Sequence, residues 1–159
     1  MPELLPESVV LEGPFRFVAQ PSPVPGDVRS IHRIALLLIT LRKCHGDTAT
    51  FEQLHVLNWA IHSPSSQAEF LSAFQQKGRP DDIIVRFDPG LNRTIDLARG
   101  LTLVAWGSGK RLGLTPEGLK RANEISRTTG ILDREKGFLD SINGKISHSM
   151  IERLVSRWD

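Results

Sequence analysis

The chain has 159 residues, which at the usual domain size amounts to one compact domain with an arm or tail attached. A composition of 40% hydrophobic and 24% charged residues excludes a wholly disordered or collagen-like chain. With 20 Lys+Arg against 18 Asp+Glu the formal charge is +2, a smaller excess than proteins living on non-specific phosphate contacts carry, so nucleic acid is not demanded. Residues 1–28 hold Pro2, Pro6, Pro14, Pro21, Pro23 and Pro25 and read as an extended arm. The arm also carries Leu4, Leu5, Val9, Val10, Leu11, Phe15, Phe17 and Val18, too apolar for a solvated linker. Two readings stand for it: it wraps its own domain, or it docks on a partner subunit through residues such as Phe15 and Phe17.

From Ser30 as N-cap, Ile31, Ile34, Leu38 and Leu41 recur at helical spacing and predict a first helix to about Lys43. Gly46 and Asp47 break it, and Thr50 caps a second helix to about His62 with Phe51, Leu54, Leu57 and Ile61 on one face. Ser63-Pro64 opens a third helix, in which Phe70, Leu71 and Phe74 can bury, and Gly78 and Pro80 stop it. Ile83–Phe87 reads as a short strand; Asp88-Pro89 then starts a fourth helix ending at Gly100. Leu101–Trp106, a Gly107-Ser108-Gly109 turn and Arg111–Leu114 predict a hairpin, followed at once by a helix from Thr115-Pro116 through Leu119, Ala122 and Ile125. After Gly130 a further helix is expected to about Ser141, then Asn143-Gly144 as a hinge, then a last helix carrying Ile146, Met150 and Leu154.

This order is mainly α with a small β-hairpin: a winged helix-turn-helix core over residues 29–129, with a helical extension over 130–159. The hairpin would be the wing, and the helix before it the presented one. The phrase LTPEGLKRANEI at 114–125 resembles the end of many winged-helix domains, where a strand returns from the wing into a Leu-Thr-x-x-Gly helix start. That fold is silent on function, since it serves repressors, condensin-associated subunits and docking modules alike.

A closer resemblance rests on TFEQLHVLNWAIHSP at 50–64, VRFDPGLNRTIDLARGLTLV at 85–104 and the closing LTPEG. Together these resemble the small middle component of the ABC-type three-component bacterial defence systems, the Lamassu group among them, over roughly residues 30–127. The resemblance implies a non-catalytic adaptor that ties an SMC-like ATPase to an effector, often a nuclease, until foreign DNA is sensed. It brings no catalytic residues. Leu54, His55, Asn58, Trp59, Arg86, Asp88, Asn92 and Arg93 fall within its motifs and would be structural and docking positions. The alternative is a winged-helix transcription regulator, which needs a dimer and a basic presented helix.

Arg86, Arg93 and Arg99 on the strand and presented helix, with Lys110 and Arg111 at the wing, form the best candidate surface for DNA phosphates or an acidic partner. The plainer reading pairs Arg86 with Asp88 or Asp96 and leaves the others solvated. Trp106 and Trp158 are candidate interface anchors, because wing tips and chain ends are poor places to hide an indole. His55 and His62 lie seven apart with Cys44-His45 upstream, but without the short paired ligand spacings of a zinc site no metal or other cofactor is expected. No Gly-x-Ser-x-Gly elbow is present, the GSGKR at 107–111 lacks the P-loop spacing, and Asp81-Asp82 reads as loop solvation, so no enzyme is expected. The lone Cys44, the shortness of the Ile34–Ile39 aliphatic run and the lack of a positive segment leading into an apolar signal core make the cytoplasm the expected compartment, without a membrane partner.

Overall fold

Aliphatic residues run almost without interruption through the second half of the first helix, and that helix becomes the axis of the domain. In the computed structural model, which describes residues 26–75 and 88–155 together with Pro21, α1 spans Gly26–Lys43. Ile34, Leu37, Leu38, Ile39, Thr40 and Leu41 are all buried, as expected of a helix surrounded by others. The start differs from the expected one. Ser30 is no N-cap: its hydroxyl donates to the Gly26 carbonyl at 3.0 Å from inside the helix, an i−4 bond that a serine makes without ending the turn. Ile31, expected on the buried side, is 66% exposed, because the neighbours of α1 cover only its later turns.

The remaining described elements follow the local signals closely. A capping box formed by Thr50 and Gln53 starts α2, Phe51–His62. Ser63 accepts from the Ser66 amide at the head of α3, Pro64–Gln75. Asp88 accepts from the Gly90 amide and Pro89 occupies the first turn of α4, Pro89–Gly100. Thr115 and Pro116 do the same for α5, Pro116–Arg127. Two further helices, α6 (Asp133–Ser141) and α7 (His148–Val155), end the described chain.

The hairpin forms, with β2 at Val104–Trp106 and β3 at Arg111–Leu114. It does not stand alone. Thr48–Thr50, read from the sequence only as a break and a cap, is a strand, β1, that pairs antiparallel with β3 in the register Thr48 to Gly113, Ala49 to Leu112 and Thr50 to Arg111. The sheet order is therefore β1-β3-β2. Leu101–Leu103, expected in the strand, is instead a turn in which Thr102 takes a φ of 59°.

Ala49, Val104 and Leu112 point from the sheet into a core shared with α1, α2 and α4. The same core takes in Phe138, Leu139, Ile142, Ile146 and Ile151 of the last two helices and the segment between them. Phe138 meets Phe70 of α3 edge-on at 5.8 Å, and Ile146 pairs with the end of α1 through its amide to Lys43 and its carbonyl from His45. Thus the C-terminal helices are packed into the domain. The arm residues Phe15 and Phe17, the expected strand Ile83–Phe87 with Arg86, the Asp81-Asp82 pair, the Gly78 and Pro80 stop, and Trp158 lie outside the described residues.

One contact explains the glycine of the Leu-Thr-x-x-Gly phrase. A Cβ on Gly118 would lie 1.9 Å from the Leu103 carbonyl oxygen, which also accepts the Thr115 amide. The start of α5 therefore rests directly on the backbone leading into β2. Replacing Gly118 by Ala forces these backbones apart, at a cost of about 1–3 kcal/mol. Thermal unfolding of Gly118→Ala is expected to show a melting temperature lower by several degrees, with the same far-UV spectrum.

Candidate functional site

The predicted surface is built by α4 and the hairpin, which pack on each other through β2. Leu91, Thr94, Ile95 and Ala98 bury one side of α4, so Asn92, Arg93, Asp96, Leu97 and Arg99 face outward. Arg93 is exposed; Arg99 sits 3.6 Å from the Asp96 carboxylate, an i,i+3 pair in open solvent. Beside them Leu97 is 42% and Leu101 59% exposed, and Trp106 on β2 is 40% exposed. The face therefore carries Arg93, Arg99 and, at the hairpin turn, Lys110 against the single acid Asp96, and is partly apolar.

Two residues of the hairpin part company. Lys110 is exposed at the hairpin turn with a φ of 55°. Arg111 is half-buried and turned back on the sheet, donating through Nε to the Thr48 hydroxyl at 3.0 Å and through Nη2 to the Thr48 carbonyl at 3.2 Å. Its guanidinium pins β1 to β3, leaving Lys110 as the outward charge of the hairpin.

The position of α4 is set by Asp88. One carboxylate oxygen accepts from the Gly90 amide at 2.8 Å; the other accepts from Asn58 of α2 at 3.2 Å and from Arg33 of α1 at 3.4 Å. Burial works against the charged carboxylate, but the Gly90 amide, Asn58, Arg33 and His55 outweigh it and hold the group below its ordinary range. The cavity beneath, lined by Leu36, Thr40, Leu54 and Leu91 among others, is about 20 Å³, the size of one water and too small for a ligand.

The histidine and cysteine positions do not converge. His55 is buried with its ring 4.4 Å from Phe51, edge to face, and burial lowers its pKa despite the nearby Asp88 charge; His62 and His45 are exposed. Cys44 is buried, its thiol donating to the Thr40 carbonyl, and burial pushes its pKa up to about 12. Such a thiol stays protonated and is no nucleophile. Among the described residues no group of three His, Cys, Asp or Glu is placed to hold a metal ion, and no helix is long and apolar enough to cross a membrane.

A second surface lies on the other flank of α1, where α5, α6 and the loop at Gly144 enclose a groove of about 500 Å³. Arg42, Lys43, Lys136 and Lys145 line it over a floor of Ile39 and Leu139, with Asn123 and Ser126 on the α5 wall and Asp140 as the one carboxylate. None of these was singled out in the sequence. The adjacent Arg42-Lys43 pair is visible there, but Lys136 and Lys145 come from segments about a hundred residues on, and only packing brings the four together.

No protein-family model matches the chain, and neither a curated protein nor a solved structure shows significant similarity to it.

Asp88→Ala removes the α4 cap and the link to α1 and α2 together, an expected loss of about 1–2 kcal/mol. Because the folded pKa of Asp88 lies below the unfolded one, its stabilisation is present above the ordinary carboxylate value and is lost as pH falls through the depressed one. Chemical unfolding at pH 7 and at pH 3 should show the difference between wild type and variant shrinking in acid.

Proposed function

We propose that this chain is a winged-helix adaptor that docks on protein partners through the face of α4 and the hairpin. The element order supports the winged-helix reading: α1, β1, α2, then α4 leading into β2 and β3, with strand order β1-β3-β2, and α3 inserted before the presented helix. The observation that carries the docking reading is the character of the presented face. A helix that enters a DNA groove presents cations and polar base readers. Here α4 does present Asn92 and Arg93, but Asp96 offsets Arg99, Arg111 is held by Thr48, and Leu97, Leu101 and Trp106 are exposed on the same two elements and the turn between them. An exposed indole and exposed leucines are residue types that carry protein-binding hot spots, and Arg93 and Lys110 are exposed on the same elements.

The motifs at 50–64 and 85–104 supply the identity of the partners in this proposal: an SMC-like ATPase and an effector of the nuclease type, encoded beside this chain in a bacterial defence operon. The adaptor itself performs no chemistry and acts in the cytoplasm by holding effector and ATPase together.

The test is co-purification of the tagged chain with the products of its neighbouring genes. A large coiled-coil ATPase is expected in fixed proportion with the wild type. Leu97→Asp combined with Trp106→Ala should abolish its recovery while leaving the melting temperature within about 2 °C, since both side chains are partly solvated. Retention of the ATPase by the double variant removes α4 from the interface. Recovery of the chain alone, as a homodimer binding a palindromic duplex, replaces the adaptor by a regulator.

A further inference from the structure

The groove between α1, α5 and α6 gathers cations from three segments of the chain. Lysines on a solvated surface wander; the three here are each tied to a backbone carbonyl from another part of the chain. Lys43 donates to Ile142, Lys136 to Thr128 and Lys145 to Arg42. An ammonium has three donors, so a single carbonyl bond leaves capacity for a further acceptor. Arg42 is fixed between Asn123 at 3.3 Å and Asp47 at 2.8 Å.

Three acids stand near the four cations and leave a small positive excess. Asp47 is shared between Arg42 and Lys145, the latter at 3.8 Å, and Asp133 stands 3.9 Å from Lys136. Asp140 lines the groove without an ion pair among the described residues. Burial above all, and then the charges of Arg42 and Lys43, lower the pKa of Lys145 although Asp47 opposes them. On α5 the exposed Lys120 and Arg127 stand one turn either side of Asn123 and extend the basic stripe beyond the groove.

We propose that this groove binds the phosphodiester backbone of a nucleic-acid duplex. The cations and the amide nitrogen of Asn123 are groups that contact phosphate oxygens, while the Ser126 hydroxyl donates to the Ala122 carbonyl. The lining contains no aromatic side chain, so it has nothing on which an unpaired base or a free nucleotide's base would stack; recognition falls on the phosphates alone, which a duplex presents in a continuous row. The contact is sequence-independent. It is also separate from the α4 docking face, so a chain held by its partners through α4 keeps this flank open to a duplex.

The experiment is fluorescence anisotropy of a labelled 20-base-pair duplex titrated with the full chain between 50 and 200 mM NaCl. Saturable binding is expected, with log K falling against log salt at a slope of about −3 to −4 for four neutralised phosphates. Lys136→Gln with Lys145→Gln should weaken binding roughly tenfold at 50 mM salt and flatten the slope by about 2. Arg121→Gln, on the opposite side of α5, should leave both unchanged. Because the two lysines also hold the loop, the amide NMR spectrum of the wild type under duplex titration provides a readout that needs no variant. Shifts centred on Lys43, Asn123, Ser126, Lys136 and Lys145 support the groove. Shifts confined to α4 and the hairpin, no saturable binding, or complete competition by pyrophosphate at equal phosphate concentration would overturn the proposal. Docking through α4 is read by co-purification and duplex binding by anisotropy, so the two readings fail separately.

Discussion

Three residues of extended backbone, Thr48–Thr50, hold the two ends of the domain in register. Their pairing with β3 joins the α1–α2 junction to a hairpin more than sixty residues later and buries Ala49 against Leu112 with no exposure of either. Arg111 reinforces the seam by spending its guanidinium on Thr48. A hairpin left as two strands would be marginal in water. With β1 in place β3 is the central strand, and the hairpin becomes a fixed shelf for the end of α4 on one side and the start of α5 on the other.

From that shelf the positions of the two candidate surfaces follow. The Leu103 carbonyl receives Thr115 and leaves room only for glycine at 118, so α5 descends along α1 at close range. On the opposite flank α4 is locked by Asp88 to both α1 and α2. α1 packs against both α4 and α5, and the basic groove takes Ile39, Arg42 and Lys43 of α1 whereas Arg33, Leu36, Leu37 and Thr40 line the cavity beside α4, so the two surfaces draw on different residues of one helix.

The formal charge of +2 conceals this division. On α4 Arg93 and Arg99 stand against the single acid Asp96; on the outer side of α5, Arg121 is flanked by Glu117 and Glu124 at 3.0 and 3.1 Å. Arg42, Lys43, Lys136 and Lys145 meet in the groove, with Asp140 in its lining and Asp47 and Asp133 beside it. A net charge is a sum over the surface, and it decides little about a groove whose charges are gathered by folding.

What the sequence determined by itself was everything encoded within a few residues. Thr50 with Gln53, Asp88-Pro89 and Thr115-Pro116 mark helix starts because a cap and a proline act on the next turn of backbone, and Gly107-Ser108-Gly109 marks the hairpin because the bend is local. The tertiary structure decided what depends on distant partners. The strand at Thr48–Thr50 is too short to show a period, and its partner lies far along the chain. Ile31 belongs to the helical pattern, yet nothing covers it. Arg111 and Lys110 are neighbours in sequence, but only one finds Thr48 within reach. The basic groove was least legible, since helical periodicity orders residues within one element, and its four cations come from the end of α1, from α6 and from the loop before α7.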